Sequence, residues 1–349
     1  LGNYSSLTSI SDKAQEIKIK FGTSNTSDSV SGECTTPFEN NQGIAGSSEN
    51  CKVGDYMTHP AFLAFDTLGL WVGKFETGYD GAMSTETAQV NSVDISKIVI
   101  KPNVYSWRNI TVGNAFKNSY DYNRNLDSHM MKNTEWGSVA YLQHSKYGSQ
   151  TSVRINNNSA YITGYAATEE PTLGYSSTSI NGNRYESASL GTDGTYTINY
   201  LNSNSVVAST TNNYTGIYDM SGGAWEYVMG YTTGATTVGG TSGITNLYSN
   251  FFSNSSYSKY WDKYTAEVNT NYNNRILGDA TGEMGPFGSE KDPDGGTRNK
   301  SSWYKDYAYL VSSSTPWFAR GGAWVNGIIS GAFSTGFGPG YISDDKVFR

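Results

Sequence analysis

Gly216-Ile217-Tyr218-Asp219-Met220-Ser221-Gly222-Gly223-Ala224-Trp225-Glu226-Tyr227 is the stretch on which the reading of this chain turns. Its Asp219 suits an Asx-type turn, in which a short carboxylate side chain bonds to nearby backbone. Glu226, near its far end, can pair with a cation in the core, and Arg320 is one candidate. Outward on both sides the composition changes. From Ser149 to Thr215 and from Tyr231 to Lys300 the chain is rich in Ser, Thr, Asn, Gly and Tyr, with little helical periodicity. Such stretches predict short strands and long surface loops.

The whole chain has 349 residues, enough for one large domain or two ordinary ones and for a sizeable core. Charged residues make up 16% and aromatics 14%, the opposite of a disordered composition, so a folded body is expected. The 27 tyrosines and 39 glycines, set among Ser, Thr and Asn, suit an adaptable binding surface, where rigid amphipathic rings give contact area at low entropic cost. A weakly charged β-rich exterior with no binding role has the same composition, so both readings stay open. A net charge of -7 and the lack of any Lys or Arg cluster argue against a nucleic-acid partner. No stretch approaches the ~20 apolar residues of a membrane span. Leu1-Gly2-Asn3-Tyr4-Ser5-Ser6 has no basic-then-apolar signal pattern, which is consistent with a processed or excised chain. Cys34 and Cys51 sit in a Gly, Ser and Asn context. A disulfide between them would imply an oxidising compartment; two free thiols in a reducing one is the other reading.

Residues 1–60 are expected to form an N-terminal appendage, with an amphipathic start over Ser11 to Phe21 and the loop between the cysteines, and residues 61–349 the main domain. Leu70-Trp71-Val72-Gly73-Lys74-Phe75-Glu76-Thr77 alternates with period two and predicts a strand; Ile95 to Ile100 is a second short apolar run. A helix is predicted where Asn133 can cap, Thr134 and Glu135 fill the first turn, Trp136, Val139, Ala140 and Gln143 repeat at helical spacing, and Gly148 supplies a stop. No internal repeat is visible. Few helices, many short strands and heavy loop content predict an α+β domain.

Several segments carry a likeness to one family. Gly69 to Thr77 resembles the early strand of formylglycine-generating-enzyme-type domains, and Val104-Tyr105-Ser106-Trp107 the segment before their first helix. Met131-Lys132-Asn133-Thr134-Glu135-Trp136 is similar to the start of their second helix. Gly216 to Tyr227 resembles their Gly-Leu-Tyr-Asp-Met-x-Gly-Asn-Val-Trp-Glu-Trp motif. Arg320-Gly321-Gly322-Ala323-Trp324, with the terminal Val347-Phe348-Arg349, resembles their closing segment. The resemblance runs over residues 61 to 349. It implies a C-type-lectin-like fold with long irregular loops and short strands, a scaffold that hosts both enzymes and binding proteins.

Oxidase members of that family use two cysteines in the closing segment to bind copper. No cysteine follows Cys51 here, and neither Ser334 nor Tyr341 can supply a thiolate, so no copper and no oxidase activity are expected. Iron-dependent relatives use a cluster of three histidines, whereas His59, His129 and His144 are scattered. No Gly-x-Ser-x-Gly elbow, His-Glu-x-x-His pair or phosphate-cradling Lys-Ser/Thr loop is present. The adjacent Glu169 and Glu170 read as a solvated loop, and Asp292-Pro293-Asp294-Gly295-Gly296 reads as a turn. The resemblance does imply a calcium site at Asp219, Gly222, Ala224 and Glu226, since hard oxygen ligands from a turn suit that ion. This chain departs from the family in having Asp219 for an amide and Gly223 for Asn. An Asx turn with a Glu226 ion pair stays open as the alternative.

After Arg320-Gly321-Gly322, small residues alternate with apolar ones, and Gly327, Gly331, Gly336, Gly338 and Gly340 interrupt any regular element. An irregular loop with exposed apolar tips is expected as far as Lys346. Candidate ligand contacts in its first half are Asn326, Ile328, Ile329, Ser330, Phe333 and Ser334. Those in its second half are Phe337, Pro339, Tyr341, Ser343 and Asp344. Core anchoring is the preferred role for Trp324 and remains open for Phe333 and Phe337. The segment looks like the variable region of retroelement-diversified ligand-binding proteins of bacteria and phages. That likeness implies extracellular display on a bacterial surface, pilus or virion, within a larger surface assembly, with a protein or glycan receptor as partner. The expectation is therefore a non-catalytic adhesion or receptor-binding protein. A structural fibre, pilus or shell component is the alternative, and a family enzyme with an unrecognised site a further one.

Overall fold

Glu226-Tyr227-Val228-Met229-Gly230-Tyr231-Thr232 forms the central strand of a four-stranded sheet in the computed structural model of the chain. The structure describes residues 61, 69–82, 88–101, 104, 106–142, 209–211, 216–232, 251–264, 278–280, 306–307, 311, 315–323 and 329–340, with the backbone of four earlier strands. Those four are β1 (Tyr4–Ser6), antiparallel to β2 (Ser9–Ile10), and β3 (Glu33–Cys34), parallel to β4 (Tyr56–Met57). There follow β5 (Gly78–Tyr79), β6 (Ile98–Val99), α1 (Val112–Tyr122), α2 (Asn133–Leu142), β7 (Glu226–Thr232), β8 (Asp262–Tyr264), β9 (Trp317–Arg320) and β10 (Thr335–Gly338). β5 and β6 pair antiparallel. The large sheet has the order β10-β9-β7-β8, antiparallel except for the β7–β8 pair. The chain is thus mixed helix and sheet, α+β.

Both faces of this sheet are covered, and the period-two alternation of strand side chains decides which residue serves which face. Tyr227, Met229 and Tyr231 of β7, with Trp317 and Ala319 of β9, join Val112 and Phe116 of α1 and the aromatic residues Phe251 and Tyr260. Val228 and Phe318 point the other way, to Trp136, Val139 and Ala140 of α2 and to Phe333 of the closing segment. Burying each of the larger apolar side chains among these contributes about 1.5–3 kcal/mol.

Each helix has a local reason to start. Thr111 caps α1 by accepting from the Asn114 backbone at 3.2 Å. At the start of α2, Glu135 Oε2 accepts from the Lys132 N–H at 2.8 Å, and Asp262 Oδ2 accepts from the Thr134 N–H at 2.8 Å. The expected Asn133 cap is therefore corrected: Asn133 is the first helical residue, and its amide donates to Tyr264 Oη and Asp279 Oδ2. The strand expected over Leu70 to Thr77 is also corrected. Regular pairing begins only at Gly78, with Trp71 fully exposed and Glu76 buried, so the alternation does not divide core from solvent. The Ile95 to Ile100 run becomes a 3-10 turn, Ile95–Lys97, leading into β6. Among the described residues no helix is long and apolar enough to cross a membrane. The Cys34–Cys51 pairing lies outside the described side chains, as does Gly148.

Candidate functional site

The turn before β7 is built on left-handed backbone. Asp219, Gly222 and Gly223 have φ of 68°, 71° and 67°. At Gly223 a Cβ would lie 2.7 Å from Glu76 Oε2, so only glycine fits both the angle and the approach. Asp219 Oδ2 accepts from the Glu76 N–H at 2.9 Å. That bond spans 143 residues, so the Asx-turn expectation is corrected: the carboxylate ties two remote segments rather than its own turn. The two acids face each other in a buried setting. Burial pushes Asp219 up to about 8, opposed by the Glu76 N–H bond. Burial and the Asp219 charge push Glu76 well above the usual carboxylate range, against hydrogen bonds from Ser106 and the Ala224 backbone and the charge of Arg108.

For calcium, the informative atom is Asp219 Oδ1, which is buried with no hydrogen-bond partner. A hard oxygen in that condition fits the donor chemistry of the ion. Gly222 and Ala224 are buried in the same turn, and Glu226, half-buried, opens β7 opposite Arg320 in the sheet register. Among the described residues no three His, Cys, Asp or Glu side chains gather as a metal cluster. Any ion here would depend on backbone carbonyls.

The closing segment is tied to this turn. The Gly222 N–H donates to both Gly321 O and Ser330 O, each at 2.9 Å. Gly322 has φ of 70°, and a Cβ there would lie 2.5 Å from that of Ser330. Arg320 is completely buried; its guanidinium donates to Thr335 Oγ1 and to the Asp279 carbonyl at 3.3 Å, and it lies over the Trp136 ring at 5.9 Å. Asp306 Oδ2 accepts from the Phe333 N–H at 3.0 Å. Burial pushes Asp306 up to about 8 against the Phe333 and Gly331 N–H bonds and the Arg320 charge. Trp136 Nε1 donates to the Ala332 carbonyl at 2.7 Å, and Ser334 Oγ to the Ile329 carbonyl at 2.6 Å.

These bonds change the reading of the loop. Ile329, Ser330 and Ser334 were expected to face solvent, and Phe333 either to do so or to anchor the core; all four are buried, so the ligand-contact expectation is corrected for each and Phe333 takes the core role. Phe333 is enclosed by the α2-side core, edge-on to Tyr141 at 5.1 Å, because Asp306 and Trp136 hold its backbone inward. Phe337 and Pro339 are half-buried, and Phe337 packs on the same core. Asn326, Ile328, Tyr341, Ser343, Asp344 and Trp324 lie outside the described residues. His129 pairs with Glu135, whereas His59 and His144 are outside the description. Glu76, Asp306 and Asp279 were not singled out from sequence. Their partners are remote in the chain, and although Glu76 lies in the quoted Gly69 to Thr77 stretch, no local pattern sets any of the three apart. No protein-family model matches the chain, and no curated protein matches it.

Proposed function

We propose that the chain is a non-catalytic ligand-binding protein on a C-type-lectin-like scaffold of the formylglycine-generating-enzyme type. The observation that carries this reading is convergence. The Asp219–Glu226 turn, the Trp136 helix and the Arg320-Gly321-Gly322 turn, remote in sequence, meet through the Gly222–Gly321 hydrogen bond and the Arg320 guanidinium over the Trp136 ring. These are the segments on which the resemblance rests. The anchored part of the closing segment, Ile329 to Thr335, serves as frame, and the binding surface falls to Asn326, Ile328, Phe337, Pro339, Tyr341, Ser343 and Asp344. Its partner is a protein or glycan receptor, and its setting extracellular, on a bacterial surface, pilus or virion. No copper chemistry is proposed, since no cysteine follows Cys51. Calcium held by Asp219, Gly222, Ala224 and Glu226 would offset the buried Asp219 charge and stiffen the turn.

The test is binding to arrays of immobilised glycans and of extracellular protein domains, with calcium or with chelator. Tyr341→Ala is expected to weaken the strongest signal by about 1 to 3 kcal/mol while leaving the unfolding midpoint unchanged. Calcium is expected to raise that midpoint in the unaltered chain but not in Glu226→Gln. Absence of binding on both arrays, or binding indifferent to Tyr341→Ala, would favour a structural fibre or shell role.

A further inference from the structure

One imidazole ties the connection between α1 and α2 to the first turn of α2. His129 Nδ1 lies 2.6 Å from the Asp127 carbonyl, and Nε2 lies 3.1 Å from Glu135 Oε1. A carbonyl oxygen only accepts hydrogen bonds, so Nδ1 carries a proton. The Glu135 carboxylate also takes the Lys132 N–H on its other oxygen, and as an acceptor it requires a proton on Nε2. Both contacts are satisfied together only by the imidazolium. The neutral ring would turn a lone pair toward a largely buried carboxylate.

The charges around the ring come from every element packed against it. Glu135 and the Asp262 carboxylate that caps Thr134 lie on the α2 side, and Lys132 on the connection itself. From the 3-10 turn Ser255–Tyr260, Lys259 Nζ donates to Asp127 Oδ2 at 2.7 Å and Tyr260 Oη to Asp127 Oδ1 at 2.5 Å. The Tyr260 ring sits 5.3 Å from the imidazole. Asp127 itself is left-handed, with φ of 55°. The same connection reaches the central strand, where the Met229 N–H donates to the Met131 carbonyl at 2.9 Å.

We propose that His129 is a pH-sensitive latch: as an imidazolium it binds the α1–α2 connection to the first turn of α2, and on deprotonation it releases it. Burial alone would lower the affinity of this ring for its proton; the Glu135 bond and charge, then the Asp127 carbonyl, outweigh burial and leave its pKa raised above 6.5. The stability that the latch contributes is complete below the unfolded value, 6.5, and is lost as pH rises through the raised folded one. Glu135, with pKa lowered by His129 and Lys132 despite its burial, stays a carboxylate throughout that window.

Histidine-labelled protein tests this by NMR titration, with His129 assigned by its loss in His129→Ala. The latch predicts a midpoint above 6.5, ring-nitrogen shifts of the imidazolium below it, and a lower midpoint in Glu135→Gln, where only the Asp127 carbonyl and charge still oppose burial. Amide exchange of residues 123–132, corrected for the intrinsic effect of pH, should quicken above the midpoint in the unaltered chain. In Glu135→Gln it should be fast on both sides. A midpoint at or below 6.5, or one unmoved by Glu135→Gln, would overturn the imidazolium assignment. A raised midpoint with pH-independent exchange would overturn the latch. If His129→Ala does not fold, Glu135→Gln and the nitrogen shifts still decide the outcome.

Discussion

The two faces of the four-stranded sheet are held by different physics. On the α1 face, Tyr231 meets Phe252, Trp261 and Trp317 at ring-centroid distances of 4.7, 5.4 and 5.5 Å, and Phe116 meets Phe251 edge-on at 4.9 Å. Even the indole N–H groups of Trp261 and Trp317 are buried there without hydrogen-bond partners, so packing outweighs the cost of leaving them unmet. On the α2 face, Trp136 and Phe318 sit among Asn133, Tyr264, Asp279 and Arg320, and the Tyr264 hydroxyl accepts from Asn133 at 2.6 Å and donates to Asp279 at 2.7 Å. Aromatic burial supplies stability without specifying direction. A directional polar network, even with Asn133 Oδ1 left without a hydrogen-bond partner, fixes which segment lies where, and here those segments are the start of α2 and the closing turn.

The comparison is broken or sharpened most strongly by pH. Asp219 and Asp306, each pushed up to about 8, and Glu76, pushed higher than usual, all belong to the turns on the polar side. Their folded pKa values exceed their unfolded ones, so the native chain holds protons that the unfolded chain sheds above about 4. Stability is then greatest in mild acid and falls as pH rises toward 8, by on the order of several kcal/mol. Urea unfolding in chelator at pH 5 and pH 8 measures the fall, since a calcium ion on Asp219 would keep that carboxylate charged, and Asp306→Asn should remove part of it. A flat profile in the unaltered chain would mean that these acids are not held neutral. Next in size, Trp317→Ala should cost about 3 to 5 kcal/mol at any pH, because it empties the aromatic face without touching a titrating group. The smallest effect is expected of Tyr264→Phe, about 1 to 3 kcal/mol, from leaving Asn133 and Asp279 short of a partner. A cost of Tyr264→Phe above that of Trp317→Ala, measured in the same denaturant series, would reverse the assignment of roles to the two faces.

What could be read from sequence follows the same division. α2 was visible because Trp136, Val139 and Ala140 keep helical spacing and its apolar side is continuous. α1 was not read from its residues: Val112-Gly113-Asn114-Ala115-Phe116-Lys117-Asn118 holds poor helix formers, and its order comes from the Thr111 cap and from Phe116 meeting rings far along the chain. The Leu70 to Thr77 alternation misled because Glu76 is drawn inside by Asp219, which only the fold brings near. In the closing segment, glycine spacing signalled the irregular backbone found over residues 329–334. Core anchoring of Phe333 stayed open from sequence and is decided by Asp306 and Trp136 holding its stretch of backbone, whereas the burial of Ile329, whose carbonyl takes the Tyr307 N–H, had no sequence signal. β10 also forms a regular strand over Thr335–Gly338 despite Gly336 and Gly338, because β9 supplies a partner for all four residues.

The shared hydrogen bond of Gly222 has a consequence for tolerance to change. One donor grips the carbonyls of both Gly321 and Ser330, and the contact of Gly322 with Ser330 closes the same ring of chain. The entropy of bringing the two ends of residues 321–330 together is thereby met by the framework. That cost depends on the logarithm of loop length and not on what the loop contains. Substitutions, and even short insertions, over residues 325–328 are therefore expected to leave the unfolding free energy nearly unchanged, whereas Gly322, Ala323 and Ile329, tightly approached or buried, are expected to tolerate little change.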